Sequence, residues 1–241
     1  KITMEWLDSI NKLDTREISD ASLYLLFSDG RKLNINRAEM ERYNRGNNGC
    51  LCDMPLCVKS TENFSRCSIC PEKQGVCDAL IPLIPYIEIF DNYNSFDKVT
   101  AVFKKGDLTY VSKTTVQEAV RYVSILGLMQ YCLVGKKYWK CFLDVIPLMP
   151  FQELYNRLYL NVYWLNKGDS NAIDSFIKLF AEDITITTKN IAKRLNVICK
   201  SDAFLNSFVN MHIGAKLLTL DIDKVLMESF NELEQESFIQ D

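Results

Sequence analysis

The sequence predicts an α+β protein, and three observations lead to this fold class. Residues 22–36 and 97–113 each read as two β-prone runs joined by a glycine-containing turn, which is typical of a β-hairpin. From residue 114 onward, apolar side chains recur at helical spacing. Residues 50–77 hold six of the nine cysteines. We therefore expect a small antiparallel sheet built from the two hairpins, packed on a C-terminal bundle of four or five helices, with a cysteine-rich metal-binding loop.

Glycine marks the turn of each hairpin. Asp29-Gly30 is a strong signal for a two-residue turn. In the returning strand Leu33 and Ile35 alternate with polar residues, so one face of this hairpin should be buried. The second hairpin should turn within Lys104–Asp107.

Two features locate the first helix of the bundle. Thr114 is expected to be its N-cap, with Gln117 at the capping-box position. The apolar stripe runs to about Tyr131, so Cys132 should lie at the end of the helix, with Gly135 as a stop signal.

The remaining helical segments are less uniform. Pro82 and Pro85 argue against a regular helix through residues 78–92. The run Ile184–Thr188 has low helix propensity, so residues 171–199 read as one helix or two. Further helices are predicted at residues 3–13, 151–166, 202–219 and 222–236.

The helical and β-prone segments suggest one main domain. We interpret residues 1–19 as an N-terminal helix that is loosely attached, and residues 20–241 as a single α+β domain. Within it, residues 20–113 carry the hairpins and the cysteine-rich loop, and residues 114–241 form the helical part.

Composition narrows the class of protein. The chain has 241 residues, of which 48% are hydrophobic and 24% charged, as in globular proteins with a real core. The net charge of −3 gives no basic excess, so a nucleic acid partner is not expected. No apolar run is long enough for a membrane span, and no signal sequence opens the chain. We therefore expect a cytoplasmic protein.

The cysteine spacing is typical of a metal site. In Cys67-Ser68-Ile69-Cys70 the two-residue gap lets both thiolates face one point, as in zinc knuckles and iron–sulfur loops. Cys77 follows closely enough to be a third ligand, and a tetrahedral site needs a fourth. The candidates for the fourth ligand are Cys50, Cys52, Cys57 and Cys132.

More than one cofactor suits four thiolates. We favour structural zinc, with a 4Fe–4S cluster as the alternative. A disulfide or a redox-active thiol pair, or cysteines with no special role, remain open interpretations.

The order of these motifs resembles a family of uncharacterised bacterial proteins of similar length, a domain of unknown function. The resemblance covers about residues 20–235, and it brings no known activity. The matching residues are Phe64–Pro71, Cys77, Phe96–Val99, Thr114–Gln117 and Cys132. It implies a four-cysteine set of Cys67, Cys70, Cys77 and Cys132, which leaves Cys50, Cys52 and Cys57 as additional ligands or redox cysteines.

Other candidate residues carry weaker signals. Lys136, Lys137 and Lys140 cluster with Trp139 in a patch that could bind an anion or a partner. His212, the only histidine, is expected in the core or at an interface. Cys141 and Cys199 lie in apolar helical contexts typical of buried thiols. No glycine-rich phosphate loop is present.

These observations favour a non-enzymatic interaction or regulatory protein, stabilised by a four-cysteine metal site, with another protein as its partner. The alternative is an Fe–S or thiol protein that senses redox state or transfers electrons. An enzyme acting on a small anionic substrate is a further alternative, although the sequence has no recognisable catalytic set.

Overall fold

The structure is a computed structural model that describes residues 22–43, 54–143 and 145–219. Its four strands form one antiparallel sheet in the order β2-β1-β3-β4. The strands are β1 (Leu23–Phe27), β2 (Lys32–Ile35), β3 (Lys98–Lys105) and β4 (Leu108–Thr115). The predicted α+β class and the sheet of two hairpins are therefore confirmed.

The first hairpin turns differently from the prediction. The amide of Phe27 donates to the carbonyl of Arg31 at 2.9 Å, and the amide of Gly30 donates to the carbonyl of Phe27 at 3.0 Å. Three residues thus form the loop, and the last of them, Gly30, has φ +86°. The prediction of a two-residue turn was wrong, because Gly30 is the left-handed residue that closes a three-residue loop.

Between the two hairpins, residues 36–43 and 54–97 form only short helical pieces. They are α1 (Arg37–Met40), α2 (Leu56–Lys59), a 3₁₀ helix over Asp78–Tyr86 and α3 (Ile87–Phe90). Pro82 and Pro85 lie inside the 3₁₀ segment, where they interrupt regular helical hydrogen bonding. The segment is nonetheless almost entirely buried and forms part of the core.

Helix α4 (Val116–Leu126) begins one residue later than predicted. Thr115 is the N-cap, and Glu118 completes the capping box in place of Gln117. Strand β4 continues through Thr115, since Thr114 pairs with Val99 and Thr115 with Lys98, so the helix begins only after Thr115.

A π-helical turn, Gly127–Tyr131, extends α4 and ends at Cys132. The amide of Cys132 donates to the carbonyl of Gly127 at 2.9 Å, which closes this wider turn. A 3₁₀ helix, Gly135–Phe142, follows directly. The helical stretch therefore reaches Tyr131, as predicted, but its last turn is not α-helical.

The C-terminal half is built from three longer helices: α5 (Phe151–Leu165), α6 (Ser170–Ile198) and α7 (Ala203–Leu217). Helix α7 packs against both α6 and α4. Helix α6 is continuous over 29 residues, so of the two alternatives the single helix is confirmed. The hydroxyls of Thr187 and Thr188 are buried and donate to the carbonyls of Asp183 and Ile184, so these polar groups are paired inside the core.

One hydrophobic cluster contains residues of the sheet and of all the longer helices. Leu25, Val120, Ile184 and Phe208 are among its fully buried members. The helices predicted at residues 3–13 and 222–236 lie outside the described residues. Within the described ranges, none of the helices combines the length and the apolar character needed to cross a membrane.

Candidate metal centre

Four of the cysteines line one small cavity between the cysteine-rich loop, the end of the π turn and helix α6. The cavity has a volume of about 20 Å³, which is room for about one water-sized sphere. The cysteines are Cys67, Cys70, Cys77 and Cys132. The other lining residues are Arg66, Glu72, Val76, Asp78, Leu133, Val134, Asn190, Ile191 and Arg194.

A tight turn brings the first two thiols to the same side of the loop. The amide of Cys70 donates to the carbonyl of Cys67 at 3.1 Å, so the two intervening residues form the corner. The ammonium of Lys73 donates to the carbonyl of Cys70 at 2.7 Å and holds the next stretch against this turn. The two-residue gap thus produces the local geometry expected from its spacing.

Side chains fasten the loop to itself and to α6. The guanidinium of Arg66 donates to the carbonyl of Glu72 at 3.1 Å and to the carbonyl of Gly75. The hydroxyl of Ser65 donates to the side-chain oxygen of Asn190 on α6 at 3.0 Å. The loop therefore has a defined position over the helix.

Cys77 and Cys132 enter the cavity from the ends of helical segments. Cys77 is the N-cap residue of the 3₁₀ helix over Asp78–Tyr86. The sulfur of Cys132 accepts a hydrogen bond from the amide of Gly135 at 3.4 Å. A side chain at Gly135 would overlap the carbonyl of Leu128, so only glycine brings this amide so close to the sulfur.

Burial favours the neutral form of three of these thiols when no metal is bound. It raises the pKa of Cys67 to about 11, with Cys132 and Cys70 adding to the effect. It raises the pKa of Cys77 to about 12, although Arg194 opposes the shift. The pKa of Cys132 is also raised by burial, while the amide of Gly135 opposes it. A catalytic nucleophile needs a lowered thiol pKa, so these environments do not resemble one.

Two arginines beside the thiols were not singled out in the sequence. Arg194 has only 1% of its surface exposed, and its Nη1 has no hydrogen-bond partner among the described residues. Burial lowers the pKa of its guanidinium, and Cys77 opposes that shift. The signal for Arg194 was its position: it follows the buried Ile191 by three residues on the apolar face of α6.

The four cysteines share a cavity but do not already form a coordination shell. Across residues 22–43, 54–143 and 145–219, no group of three or more His, Cys, Asp or Glu side chains is arranged so that it could hold a metal ion. All seven cysteines in these ranges are free thiols. The metal-binding role of the loop therefore stays a prediction.

The other loop cysteines do not join this cavity. Cys57 is exposed on α2 and is not among the lining residues. Cys50 and Cys52 lie outside the described residues. Their role as additional ligands or redox groups also stays a prediction.

The predicted lysine and tryptophan patch lies on the 3₁₀ helix Gly135–Phe142. Lys136, Lys140 and Trp139 are exposed there. Lys137 forms an ion pair with the buried Asp183 of α6, so it has a partner within the protein. The hydroxyl of Tyr138 donates to the same carboxylate at 2.5 Å. Binding of an anion or a partner to this patch stays a prediction.

The residues expected to have structural roles lie on the helical side. Cys141 is buried and Cys199 half-buried, and burial raises the pKa of each thiol to about 12. His212 is half-buried on α7, and burial lowers the pKa of its imidazole, with Lys216 adding to the effect.

Comparison with known proteins gives one match. Residues 53–235 match the family described as a domain of unknown function, DUF6901. No curated protein and no solved structure matches the chain. The matched range contains the four cavity cysteines and begins after Cys50, Cys52 and the first hairpin. The predicted resemblance to an uncharacterised family is thus confirmed, and the chain belongs to the DUF6901 family.

Proposed function

We propose that Cys67, Cys70, Cys77 and Cys132 bind a structural zinc ion that fastens the cysteine-rich loop to the helical part of the protein. The single observation that carries this proposal is that three cysteines of the loop and Cys132, which lies far from them in the sequence, line one cavity. Zinc in structural sites takes four thiolates in a tetrahedron. Because such a site does not exist in the unfolded chain, the binding free energy would add to the free energy of folding.

Zinc binding would require the sulfurs to move together. The sulfur of a cysteine turns about a single side-chain torsion with three staggered positions, so a change of rotamer can redirect it towards the other sulfurs. Three of the four thiols would lose protons that burial holds on them, and the metal supplies the favourable interaction that makes this loss possible.

The size of the cavity favours one ion over a cluster. A volume of about 20 Å³ accommodates about one water-sized sphere. A 4Fe–4S cluster has four irons and four sulfides, so it needs more room between the four cysteines than a single ion does. We therefore keep zinc as the first candidate and the cluster, with a redox-sensing or electron-transfer role, as the second.

For the whole protein we propose a non-enzymatic interaction or regulatory role, with another protein as the partner. The support is an exposed apolar surface at the end of α5, where Trp164 is 73% exposed and Leu160 and Tyr163 are more than 40% exposed. Aromatic residues are enriched at protein interfaces. Proximity labelling in cells should recover proteins with the parent chain that a Leu160→Ser/Trp164→Ser variant loses, at equal metal content. Identical sets of labelled proteins would contradict the interaction role.

The metal proposal is tested by metal analysis and absorption spectroscopy on protein purified without oxygen. One zinc per chain in a colourless protein would support the structural site. Iron with sulfide and a visible absorption band would support the second candidate instead. Protein that contains no metal and does not take up zinc would contradict both.

A further inference from the structure

Arg194 is a buried cation without a carboxylate partner among residues 22–43, 54–143 and 145–219. Its side chain extends from α6 into the wall of the cysteine cavity, and only 1% of the residue is exposed. No carboxylate among the described residues forms an ion pair with it, and its Nη1 lacks a hydrogen-bond partner there. A buried charge of this kind is costly unless an opposite charge and hydrogen-bond acceptors compensate it.

Arg66 adds a second guanidinium to the same wall. Two of its nitrogens donate to loop carbonyls, while its Nε is buried without a partner in the described part of the chain. Arg66 and Arg194 act on each other electrostatically, and the repulsion lowers the pKa of Arg194. The loop and α6 therefore place one positive charge each beside the cavity that the cysteines line.

The acids that line the cavity do not pair with these arginines. Glu72 is exposed on the rim, so its carboxylate is in contact with water. Asp78 is half-buried and acts on Cys132, whose pKa it raises. The groups near enough to Arg194 to act on it when they carry a negative charge are Cys77, Cys67 and Cys70. These thiols, once they become thiolates, could supply the counter-charge.

We propose that Arg194, assisted by Arg66, is the counter-charge of the metal centre, so that the occupant is a doubly negative unit of four thiolates around a divalent ion. This inference rests on the proposed metal site. Four thiolates and one Zn²⁺ carry a net charge of −2, which two guanidinium groups balance. Unused N–H groups of the arginines would donate to the metal-bound sulfurs, as second-shell donors do at other metal sites.

The net charge of −2 distinguishes a bound metal with four thiolates from the metal-free alternatives. A disulfide or a pair of neutral thiols would leave Arg194 buried without an anion. A [4Fe–4S]²⁺ core with four thiolates has the same net charge, so the cavity volume rather than the arginines distinguishes zinc from the cluster. A free inorganic anion is a different occupant, and the experiment includes it.

The experiment compares Zn²⁺ affinities of the full chain and of variants, by competition with a chelator, and uses Co²⁺ absorption to report a tetrathiolate site. Arg194→Gln should weaken Zn²⁺ binding about 10- to 100-fold, as loss of an outer-shell partner does. Arg194→Lys should recover part of the loss because it keeps the charge. Lys193→Gln removes a charge from the exposed neighbouring position and should bind like the parent.

Several outcomes would overturn the inference. If the parent chain gives a Co²⁺ tetrathiolate spectrum and Arg194→Gln binds Zn²⁺ equally well, the counter-charge role is wrong and the metal site stands. If the parent binds no metal, both proposals fail. If inorganic phosphate raises the melting temperature of the metal-free parent but not of Arg194→Gln, the arginines bind a free anion instead.

The core position of Arg194 calls for a second variant. If Arg194→Gln does not fold, Arg66→Gln takes its place, since Arg66 is only half-buried. We expect a weakening of about tenfold for that variant. Unchanged affinity in folded Arg66→Gln would then overturn the proposal.

Discussion

Helix α6 carries two buried charged residues whose surroundings differ in one respect. Asp183 is 6% exposed, and the protein supplies its partners: the hydroxyl of Tyr138 at 2.5 Å and the ammonium of Lys137. Arg194 lies about 16 Å further along the helix axis, at 1.5 Å per residue. It is 1% exposed, and it faces thiols rather than a carboxylate.

The comparison separates a completed polar site from an incomplete one. Around Asp183, a buried acid is compensated by groups of the same chain, as expected for a structural interaction. Around Arg194, compensation requires that neighbouring thiols become thiolates, which burial alone disfavours. The contribution of the Asp183 site to stability should therefore not change when metal is added or removed. The contribution of the Arg194 site should depend on a bound metal.

The largest effect on stability is expected at the end of α6 where Arg194 and the cavity cysteines lie. Cys67→Ser or Cys132→Ser should lower the free energy of unfolding of the zinc-loaded protein by about 3 kcal/mol or more, because the metal cross-link is lost. Urea unfolding with and without a strong chelator measures this loss. With the chelator present, the parent and the variants should have nearly equal free energies of unfolding.

Cys57→Ser is the matched control, since Cys57 is exposed and outside the cavity. Its effect should stay within about 0.5 kcal/mol. If Cys67→Ser and Cys132→Ser unfold at the parent's urea concentration while zinc is present, the two ends of α6 do not differ in the proposed way.

A smaller effect is expected at the other end of α6. Asp183→Ala should destabilise the protein by about 2–3 kcal/mol, because the buried hydroxyl of Tyr138 loses its acceptor. Asp183→Asn keeps an acceptor and should cost less. Urea unfolding should give the same difference in free energy with and without chelator, and a chelator-dependent difference would break the comparison.

The pH dependence gives a third test. Burial raises the pKa of Cys141 from 9.0 to about 12, so the folded state holds the thiol proton more tightly than the unfolded state. Its contribution to stability is complete below pH 9 and is lost as the pH rises towards 12. From pH 9 to pH 10 this one group should lower the free energy of unfolding by about 1 kcal/mol.

Urea unfolding at these two pH values measures the slope. Cys141→Ala has no thiol at this position, so its stability should fall less steeply over the same interval. Equal slopes for the parent and Cys141→Ala would show that the thiol is not buried as described.

The smallest effect is expected for Lys137→Gln. The lysine side chain is 48% exposed, and an ion pair with one exposed member contributes about 0.5–1 kcal/mol. The value should shrink at high salt, which urea unfolding in 1 M sodium chloride would detect. A loss as large as that of Asp183→Ala would mean that the lysine, rather than Tyr138, is the main partner of the carboxylate.

Local pattern predicted much of the fold and part of the site. Alternation and turn residues located both hairpins, and helical spacing located α5 and α7, because these signals depend on near neighbours. Helix α6 was ambiguous because Thr187 and Thr188 lower helix propensity locally, while their burial in the bundle outweighs that cost. The start of α4 was misplaced by one residue because β4 continues through Thr115, which pairs with Lys98 across the sheet.

The same distinction between local patterns and tertiary contacts applies to the residues of the candidate site. Spacing identified Cys67, Cys70 and Cys77, and the family resemblance selected Cys132 from the candidates for the fourth ligand. All four line the cavity. Arg194 was missed because its nearness to the loop is a tertiary contact that no local window contains. The available signal was a charged residue on the apolar face of a long helix. Asp183 gave the same signal.

The π-helical turn before Cys132 shows how the direction of one sulfur depends on chain length. A π turn holds one more residue than an α turn, and it commonly arises as a single inserted residue. Deleting one residue within Gly127–Tyr131 would restore α-helical hydrogen bonding and rotate the following chain by about 100°. Cys132 would then turn away from the loop, although every cysteine would still be present in the sequence.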